Sequence, residues 1–337
     1  MRLLVYKDSL SVGRGADKAV KSFSAELAAR GHDVRLVERD AFPAALGERW
    51  DAIVATGSNE AVDLDRAGYF ERPGRSPVVL QLHLAPRGFF KWKHPFRNRA
   101  IKRAFCKVDA VQLLCSDYVE EFRGIAPGVK TRVIGNYTDM EIPSLEGHAS
   151  ASGGKMPIIL YPAAAFSRVK NQRLLIEAFA KIAGDFPGWK VRLLGNAATK
   201  SAALCRALAN KLGVADRVEF AGFTNDLAGE YSRAAFVAFP SELEGFPLAV
   251  LEAARFALPV VAHEALPGVR DIVIDGKTGL VTKPSVQEYA KGLSLVMADE
   301  SLRRKLGDGA RMRCAELYSK ESVLGAWENL LMEVAGE

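Results

Sequence analysis

The chain has 337 residues, 49% of them hydrophobic and 26% charged, with a formal net charge of +6. That composition is of a globular enzyme with enough length for two cores rather than one. No apolar stretch approaches the roughly 18 residues that cross a bilayer, and the opening MRLLVYKDSL is too short for a signal-peptide core, so neither a membrane span nor export is expected. Cys106, Cys115, Cys205 and Cys314 lack CxxC or Cys/His spacing, which predicts reduced thiols and a cytoplasmic protein.

Along the first half, the strand candidates are LLVYK, DVRLVE, AIVATG, PVVLQLH, AVQLLC and TRVIGN. Between the first two, Ala16, Val20, Phe23 and Leu27 recur at helical spacing and Gly31 supplies a left-handed stop, making one βαβ unit. The run from Arg87 to Lys107 carries eight cations and no acid, more than the whole net charge of +6, so the rest of the chain is slightly acidic. Between Pro143 and Pro157 the Ser, Gly and Ala content and the absence of apolar periodicity predict a linker.

The pattern then restarts with PIILYPA, KVRLLG, VEFAG, AAFVAFP, PVVAH and GLVT, and with helices that include LLIEAFAKI and LAVLEAARFA. Strands alternating with helices predict an α/β chain with parallel sheets, and no fixed short period suggests a solenoid. Open sheets of this kind bind ligands outside the carboxyl ends of their strands, so a central cleft faced by both sheets is the expected site.

One stretch, SELEGFPLAVLEAARFALPVV, carries the most chemistry. The strand before it ends at Pro240, and Pro247 suits the first turn of the next helix, which leaves Glu244, Gly245 and Phe246 in a loop at a helix N-terminus. Free N–H groups at Phe246, Leu248 and Ala249 and the positive helix end suit a phosphate or diphosphate, and Gly245 permits close approach. At a rise of ~1.5 Å per residue, Glu244 and Glu252 stand on the order of 10 Å apart. That is too far for a glycosidase pair, which spans ~5 to 9.5 Å. It suits a ligand with hydroxyls at both ends and phosphate between, such as a nucleotide-sugar. The competing reading is that Glu244 caps the helix dipole while Glu252 lies on a solvated face.

The run from Ser241 through DGKTGLV resembles the carboxyl-terminal signature of the GT-B fold, family 4 glycosyltransferases, whose E-x7-E motif matches Glu244 and Glu252. The resemblance implies two Rossmann-like domains with parallel sheets facing a central cleft. It implies boundaries at 1–145 for an acceptor-binding domain, 146–156 for a linker and 157–317 for a donor-binding domain, with a final helix over about 318–337 packing back on the first. It also implies retention of anomeric configuration, the first glutamate on the transferred sugar and the second on ribose.

Other positions follow in the same way. Gly13 and Gly15 match the family's glycine-rich loop after the first strand, although a GxG serves ordinary turns as well. Lys170 in KNQ matches the family's diphosphate lysine; Ala165 stands where the arginine is common, and Arg168 is the candidate replacement or an ordinary exposed charge. His83, at a strand end, corresponds to a histidine beside the acceptor and the reacting carbon, against the alternative of a satisfied core or surface histidine. Gly222, Phe223 and Thr224 follow a strand and suit a nucleobase, and Asn136 ends the last strand of the first domain. Asp271 and LPG replace the family's glutamate and glycine pair. Asp63, Leu64 and Asp65 spell a metal-binding DxD but read as a solvated turn, and neither metal nor cofactor is expected.

The chain is therefore expected to move a sugar from a nucleotide-diphosphate sugar to an acceptor hydroxyl in bacterial cell-envelope glycan synthesis, as in lipopolysaccharide core or exopolysaccharide. An epimerase, a phosphorylase or a non-catalytic sugar-nucleotide-binding subunit remain alternatives. Between residues 87 and 108, Phe89, Phe90, Trp92 and Phe96 interleave with Arg87, Lys91, Lys93, Arg97 and Arg99, which suits an anionic membrane surface on the inner face of the cytoplasmic membrane and a lipid-linked glycan acceptor. Inward-packed aromatics with solvated cations, or an anionic soluble acceptor, are the competing readings, and no nucleic-acid module accompanies the run.

Overall fold

The computed structural model describes residues 1–10, 15–90, 94–141 and 155–336, without the side chains of residues 15, 16 and 18. The chain divides into two compact units, Met1–Asn136 with Glu321–Glu337, and Tyr137–Lys320.

In the first unit, six strands form one parallel sheet: β1 (Arg2–Tyr6), β2 (Asp33–Val37), β3 (Ala52–Ala55), β4 (Val78–Gln81), β5 (Ala110–Leu113) and β6 (Lys130–Val133). Their spatial order is β2-β1-β3-β4-β5-β6, so the chain reverses direction of growth between β1 and β3. The strands β1, β3, β4 and β5 are almost wholly buried, as expected for a parallel sheet covered on both faces. The helices are α1 (Gly15–Ala29), the short α2 (Phe42–Ala45), α3 (Ser58–Arg66), α4 (Pro95–Phe105) and α5 (Asp117–Arg123). Val20, Phe23 and Leu27 of α1 are buried as their spacing predicts, and Gly31, at φ +94°, takes the left-handed stop.

The second unit repeats the plan with β7 (Ile158–Ala165), β8 (Lys190–Asn196), β9 (Val218–Gly222), β10 (Phe236–Phe239), β11 (Val260–His263) and β12 (Gly279–Thr282). Their order is β12-β11-β10-β7-β8-β9, all parallel, with the reversal between β7 and β10. This is the dinucleotide-fold order, whereas the first sheet has the flavodoxin-like one. The two domains share an architecture and differ in winding. The helices here are α6 (Gln172–Ile182), α7 (Lys200–Lys211), α8 (Leu227–Arg233), α9 (Leu248–Arg255), α10 (Val269–Ile272), α11 (Val286–Ala298) and α12 (Glu300–Leu317). Near the end of β7 the register with β8 shifts between Pro162 and Ala165. Gly195 makes that possible: at φ +110°, any Cβ there would stand 1.8 Å from the Ala163 carbonyl oxygen.

The domain boundary falls earlier than residue 145, at Asn136/Tyr137. The reason is local: the Thr138 carbonyl accepts from Arg255 at 3.0 Å and Asp139 pairs with Lys320 at 3.0 Å, which fastens this strip to the second unit. Lys155 and Met156, expected as linker, are likewise tied there, to the carbonyls of Tyr231 and Arg233.

The last helix, α13 (Lys320–Ala335), supplies Glu321–Glu337 to the first unit. Trp327 lies against Phe23 with ring centroids 4.7 Å apart, and Val323, Leu324, Leu330 and Leu331 are buried. Glu328 accepts a forked pair from Arg30 at 2.8 and 2.7 Å and faces His32 at 3.0 Å. Those hydrogen bonds, Arg30 first, pull its carboxyl down to about 2. A depressed carboxyl contributes stability above its unfolded value and loses it as pH falls through the folded one. Glu328→Gln therefore lowers Tm at neutral pH, and thermal unfolding across pH should show the deficit closing between about 4.5 and about 2.

Candidate active site

Because strand growth reverses between β7 and β10, the loops after these two strands leave a crevice at their carboxyl ends, where open α/β sheets bind ligands. The first loop carries Arg168 and Lys170; the second runs from Pro240 to Pro247. Side chain and backbone join them. The buried Tyr161 hydroxyl meets the Lys170 carbonyl at 2.7 Å and Ser241 Oγ at 2.8 Å. The Glu242 N–H donates to the Val169 carbonyl at 2.8 Å, and Asn171 Nδ2 to Glu242 Oε1 at 2.9 Å. Asn171 itself sits left-handed at φ +52° and its side chain caps α6 on Leu174. Lys170 and Glu244 are thereby brought into direct contact: Lys170 Nζ donates to both carboxylate oxygens at 2.6 Å. Both side chains stay partly open, 26% and 14% exposed.

Behind the second loop, the His263 ring is wholly buried between Pro240 and Ala265. Its Nδ1 accepts the Ala265 N–H, so the proton sits on Nε2 and is donated to the Pro240 carbonyl at 2.8 Å. The expected helix start is corrected by one residue. Pro247 is the N-cap and α9 begins at Leu248, whose N–H is not free but donates to the Phe246 carbonyl at 3.0 Å. Phe246 leans on Tyr318, centroids 6.0 Å apart, which holds the Gly245 turn. Arg168 is exposed beside this loop.

Glu252 stands further along α9 and is not a solvated residue. It is largely buried and accepts from the Tyr231 hydroxyl at 2.7 Å, while the Tyr231 ring stacks on Phe256 at 5.4 Å. Burial raises its carboxyl and the Tyr231 bond opposes the rise only in part. Nearer the sheet's other edge, Phe223 is 72% exposed after β9, and Thr224 Oγ1 receives the Asp226 N–H at 3.0 Å in the turn that opens α8. The Asp271 carbonyl is taken by Arg313 and Tyr318.

In the first unit, His83 lies two residues beyond β4. Its Nε2 is shut off from solvent and finds no partner, as do Oε1 of Gln81 and of Gln112 among the described residues. Gln81 and Gln112 are register partners on β4 and β5 and so point to one face of the sheet. Burial, helped by the Lys7 charge, lowers the His83 imidazole to about 4, so it is neutral and a weak base at physiological pH. Gly15 opens α1, and Asn136 ends the first unit. Gly13, Lys91, Trp92 and Lys93 lie outside the described residues.

The basic run divides. Phe89 and Phe90 point inward, edge-on to Phe105 at 6.2 Å, whereas Phe96 is 90% exposed beside exposed Arg97 and Arg99. Arg87 is exposed and its N–H donates to Glu121. The DxD residues are not a solvated turn: they lie in α3, where Asp63 accepts from Tyr6 and Arg39, and Asp65, buried, from Arg103 and Lys107. Both carboxylates are thus engaged by protein partners, and the described residues hold no cluster of three or more His, Cys, Asp or Glu suited to a metal.

Tyr161, Ser241, Tyr231 and His263, which fix the site, did not emerge from the sequence: Tyr161 and His263 sit in apolar strands and Tyr231 in a helix, where such rings read as core, and Ser241 reads as an ordinary loop residue. The Glu252 environment has a measurable cost. A raised carboxyl adds stability only below its unfolded value and loses it as pH rises through the folded one. Glu252→Gln, which still accepts from Tyr231, should unfold at a higher Tm than the native chain at neutral pH, and the advantage should vanish below about 4.5.

Comparison with known proteins is consistent with this geometry. Residues 148–313, the greater part of the second unit, match the family described as glycosyl transferases group 1. The chain is 34% identical over 161 residues to an exopolysaccharide phosphotransferase of Streptomyces coelicolor, covering 47% of this chain and 17% of that one. It is 27% identical over 202 residues to a lipopolysaccharide core biosynthesis glycosyltransferase of Rhizobium meliloti, covering 59% of this chain and 57% of that one. The chain thus spans less than two thirds of the length of these curated relatives. Among solved structures, Anabaena HepE in complex with UDP is similar over 99% of this chain and 100% of that one, with TM-score 0.79 and 18% identity. The same protein in complex with UDP-glucose is similar over 98% and 99%, with TM-score 0.73 and 20% identity. The chain has the GT-B fold, and its second unit is similar to the glycosyl transferases group 1 family.

Proposed function

We propose that the protein is a retaining, family 4 glycosyltransferase that moves a sugar from a nucleotide-diphosphate sugar to an acceptor hydroxyl in cell-envelope glycan synthesis. The observation that carries this reading is the Lys170–Glu244 pair held over the β7/β10 crevice, a cation and a hydroxyl acceptor at one point in the domain that matches the family. As the bond to the sugar breaks, charge builds on the diphosphate. Lys170, Arg168 and the N-terminal end of α9 stabilise it, so chemistry that a metal performs elsewhere falls to protein groups. Glu244 orients the sugar, the buried Glu252 accepts from ribose hydroxyls, and exposed Phe223 with Thr224 meets the base. Neutral His83, with its unpartnered Nε2, hydrogen-bonds the acceptor side of the reaction rather than taking its proton outright. HepE is complexed with UDP and UDP-glucose, which supports a nucleotide-sugar donor of that class, and the names of the relatives support a polysaccharide or lipopolysaccharide acceptor.

Assay with a panel of nucleotide-sugars and product analysis tests the reading: transfer to an acceptor supports it, whereas isomerised donor or sugar phosphate assigns an epimerase or phosphorylase. Under this reading Glu252→Ala weakens nucleoside diphosphate binding, about tenfold for a lost charge-assisted hydrogen bond. Glu244→Ala instead lowers turnover and sugar discrimination. EDTA leaves the rate nearly unchanged.

The exposed Phe96 beside Arg97 and Arg99 favours a peripheral contact with anionic lipid, the aromatic entering at headgroup depth. No helix among the described residues is long and apolar enough to cross a membrane. Sedimentation with anionic vesicles at low salt should capture the protein, neutral vesicles should not, and joint change of Lys91, Lys93, Arg97 and Arg99 to Ser should release it.

A further inference from the structure

The geometry points to a second role for Glu244, as the internal rival of the diphosphate, through which the site tells an intact nucleotide-sugar from a spent nucleoside diphosphate. This rests on Lys170 as the diphosphate cation. Lys170 Nζ has three donors and commits itself to both oxygens of Glu244 at 2.6 Å. The two backbones cannot drift apart to loosen the pair. The Lys170 carbonyl is held by Tyr161 at 2.7 Å, the Val169 carbonyl by the Glu242 N–H at 2.8 Å, and Tyr161 also holds Ser241 at 2.8 Å.

A diphosphate arriving at Lys170 finds two of its three donors already committed and competes for them with a carboxylate that is only 14% exposed. An intact nucleotide-sugar compensates, because its sugar hydroxyls donate to the displaced Glu244. A nucleoside diphosphate has no sugar hydroxyls at that end and leaves the carboxylate beside an anion of like charge. Once the sugar has been transferred, Glu244 recovers Lys170 and the diphosphate loses its cation. Product release is thus built into the residue that orients the sugar.

Calorimetric titration of the full chain with UDP, UDP-glucose, GDP and GDP-mannose tests this on four variants. Glu244→Gln should bind the matching nucleoside diphosphate about fivefold tighter than the native chain, the yield of one partly exposed ion pair no longer broken. Its affinity for the intact nucleotide-sugar should not rise, so the ratio between the two narrows. Glu244→Ala should shift the diphosphate in the same direction. Glu242→Gln removes an equal charge two residues away, from an exposed carboxylate that meets Asn171 instead, and should change either affinity by less than about twofold. Unchanged or weaker diphosphate binding in both Glu244 variants overturns the proposal, as does an equal gain in Glu242→Gln, which would make the effect one of net charge. Lys170→Ala separates the two levels: if it weakens diphosphate binding while the Glu244 variants gain nothing, only the proposal fails. If the native chain binds none of the four nucleotides, or Lys170→Ala binds them equally well, the nucleotide-sugar reading fails and the proposal with it.

Discussion

The reversal of strand order between β7 and β10 is the constraint on which the second domain's chemistry depends. Adjacent strands whose connections leave in opposite directions cannot close their own carboxyl ends, so two loops must meet there without a helix between them. Several of the hydrogen bonds that fix those loops come from buried groups: Tyr161 to Lys170 and Ser241, His263 to Pro240, Gln172 to the Ala165 carbonyl. The shifted register at the end of β7, which only Gly195 tolerates, sets where that strand hands the chain to the lysine loop. Rigidity is borrowed from the sheet and delivered to Lys170 and Glu244.

The first domain meets the same constraint between β1 and β3 and answers with the same residue pair, Lys7 after β1 and Glu60 after β3, 2.6 Å apart. Here the carboxylate is closed off, with a side chain only 2% exposed that also takes the Asp8 N–H at 3.0 Å. Gly57 permits this closure, since a Cβ there would stand 2.8 Å from Glu60 Oε2. Asp8 is in turn held by Lys7 and Asn59. One switch point therefore spends its charges on stitching its loops together. The other leaves its pair partly open, beside the exposed Arg168 and within the stretch that matches the family.

Much of this was legible in the sequence, for identifiable reasons. Twelve apolar runs separated by helical spacing give the twelve strands, because burial on both faces leaves parallel strands little room for polar residues. Lys170, Glu244 and Glu252 stand out through local sequence: the first by its place in a KNQ loop before a helix, the other two by their E-x7-E spacing across a helix start. Their mutual contact was not legible, since 74 residues separate Lys170 from Glu244 and only the β7/β10 adjacency joins them. The same holds for Asp65, whose partners Arg103 and Lys107 come from 38 and 42 residues away and turn an apparent metal motif into a structural ion-pair cluster. Phe89 and Phe90 were read with the cations beside them because spacing does not tell an aromatic that faces Phe105 from one that faces solvent.

Satisfaction of buried polar groups separates the structural charges from the working ones. Arg192 is a partly buried cation met by Glu230 at 2.7 and 2.9 Å and by Glu219 at 2.5 Å, and the buried Glu230 is further met by Arg233 at 3.1 Å. Such a network specifies packing and needs no ligand. Glu252 is the opposite case. A carboxylate accepts about four hydrogen bonds, yet this one, largely buried, has the Tyr231 hydroxyl and no countercharge among the described residues, and burial raises its carboxyl. Gln81, Gln112 and His83 form a second such group at the end of the first sheet, each with one buried polar atom that no described residue meets. These unmet groups, beside the well-paired Arg192 and His263, are the places where the proposed polyhydroxyl ligand would supply what the fold does not.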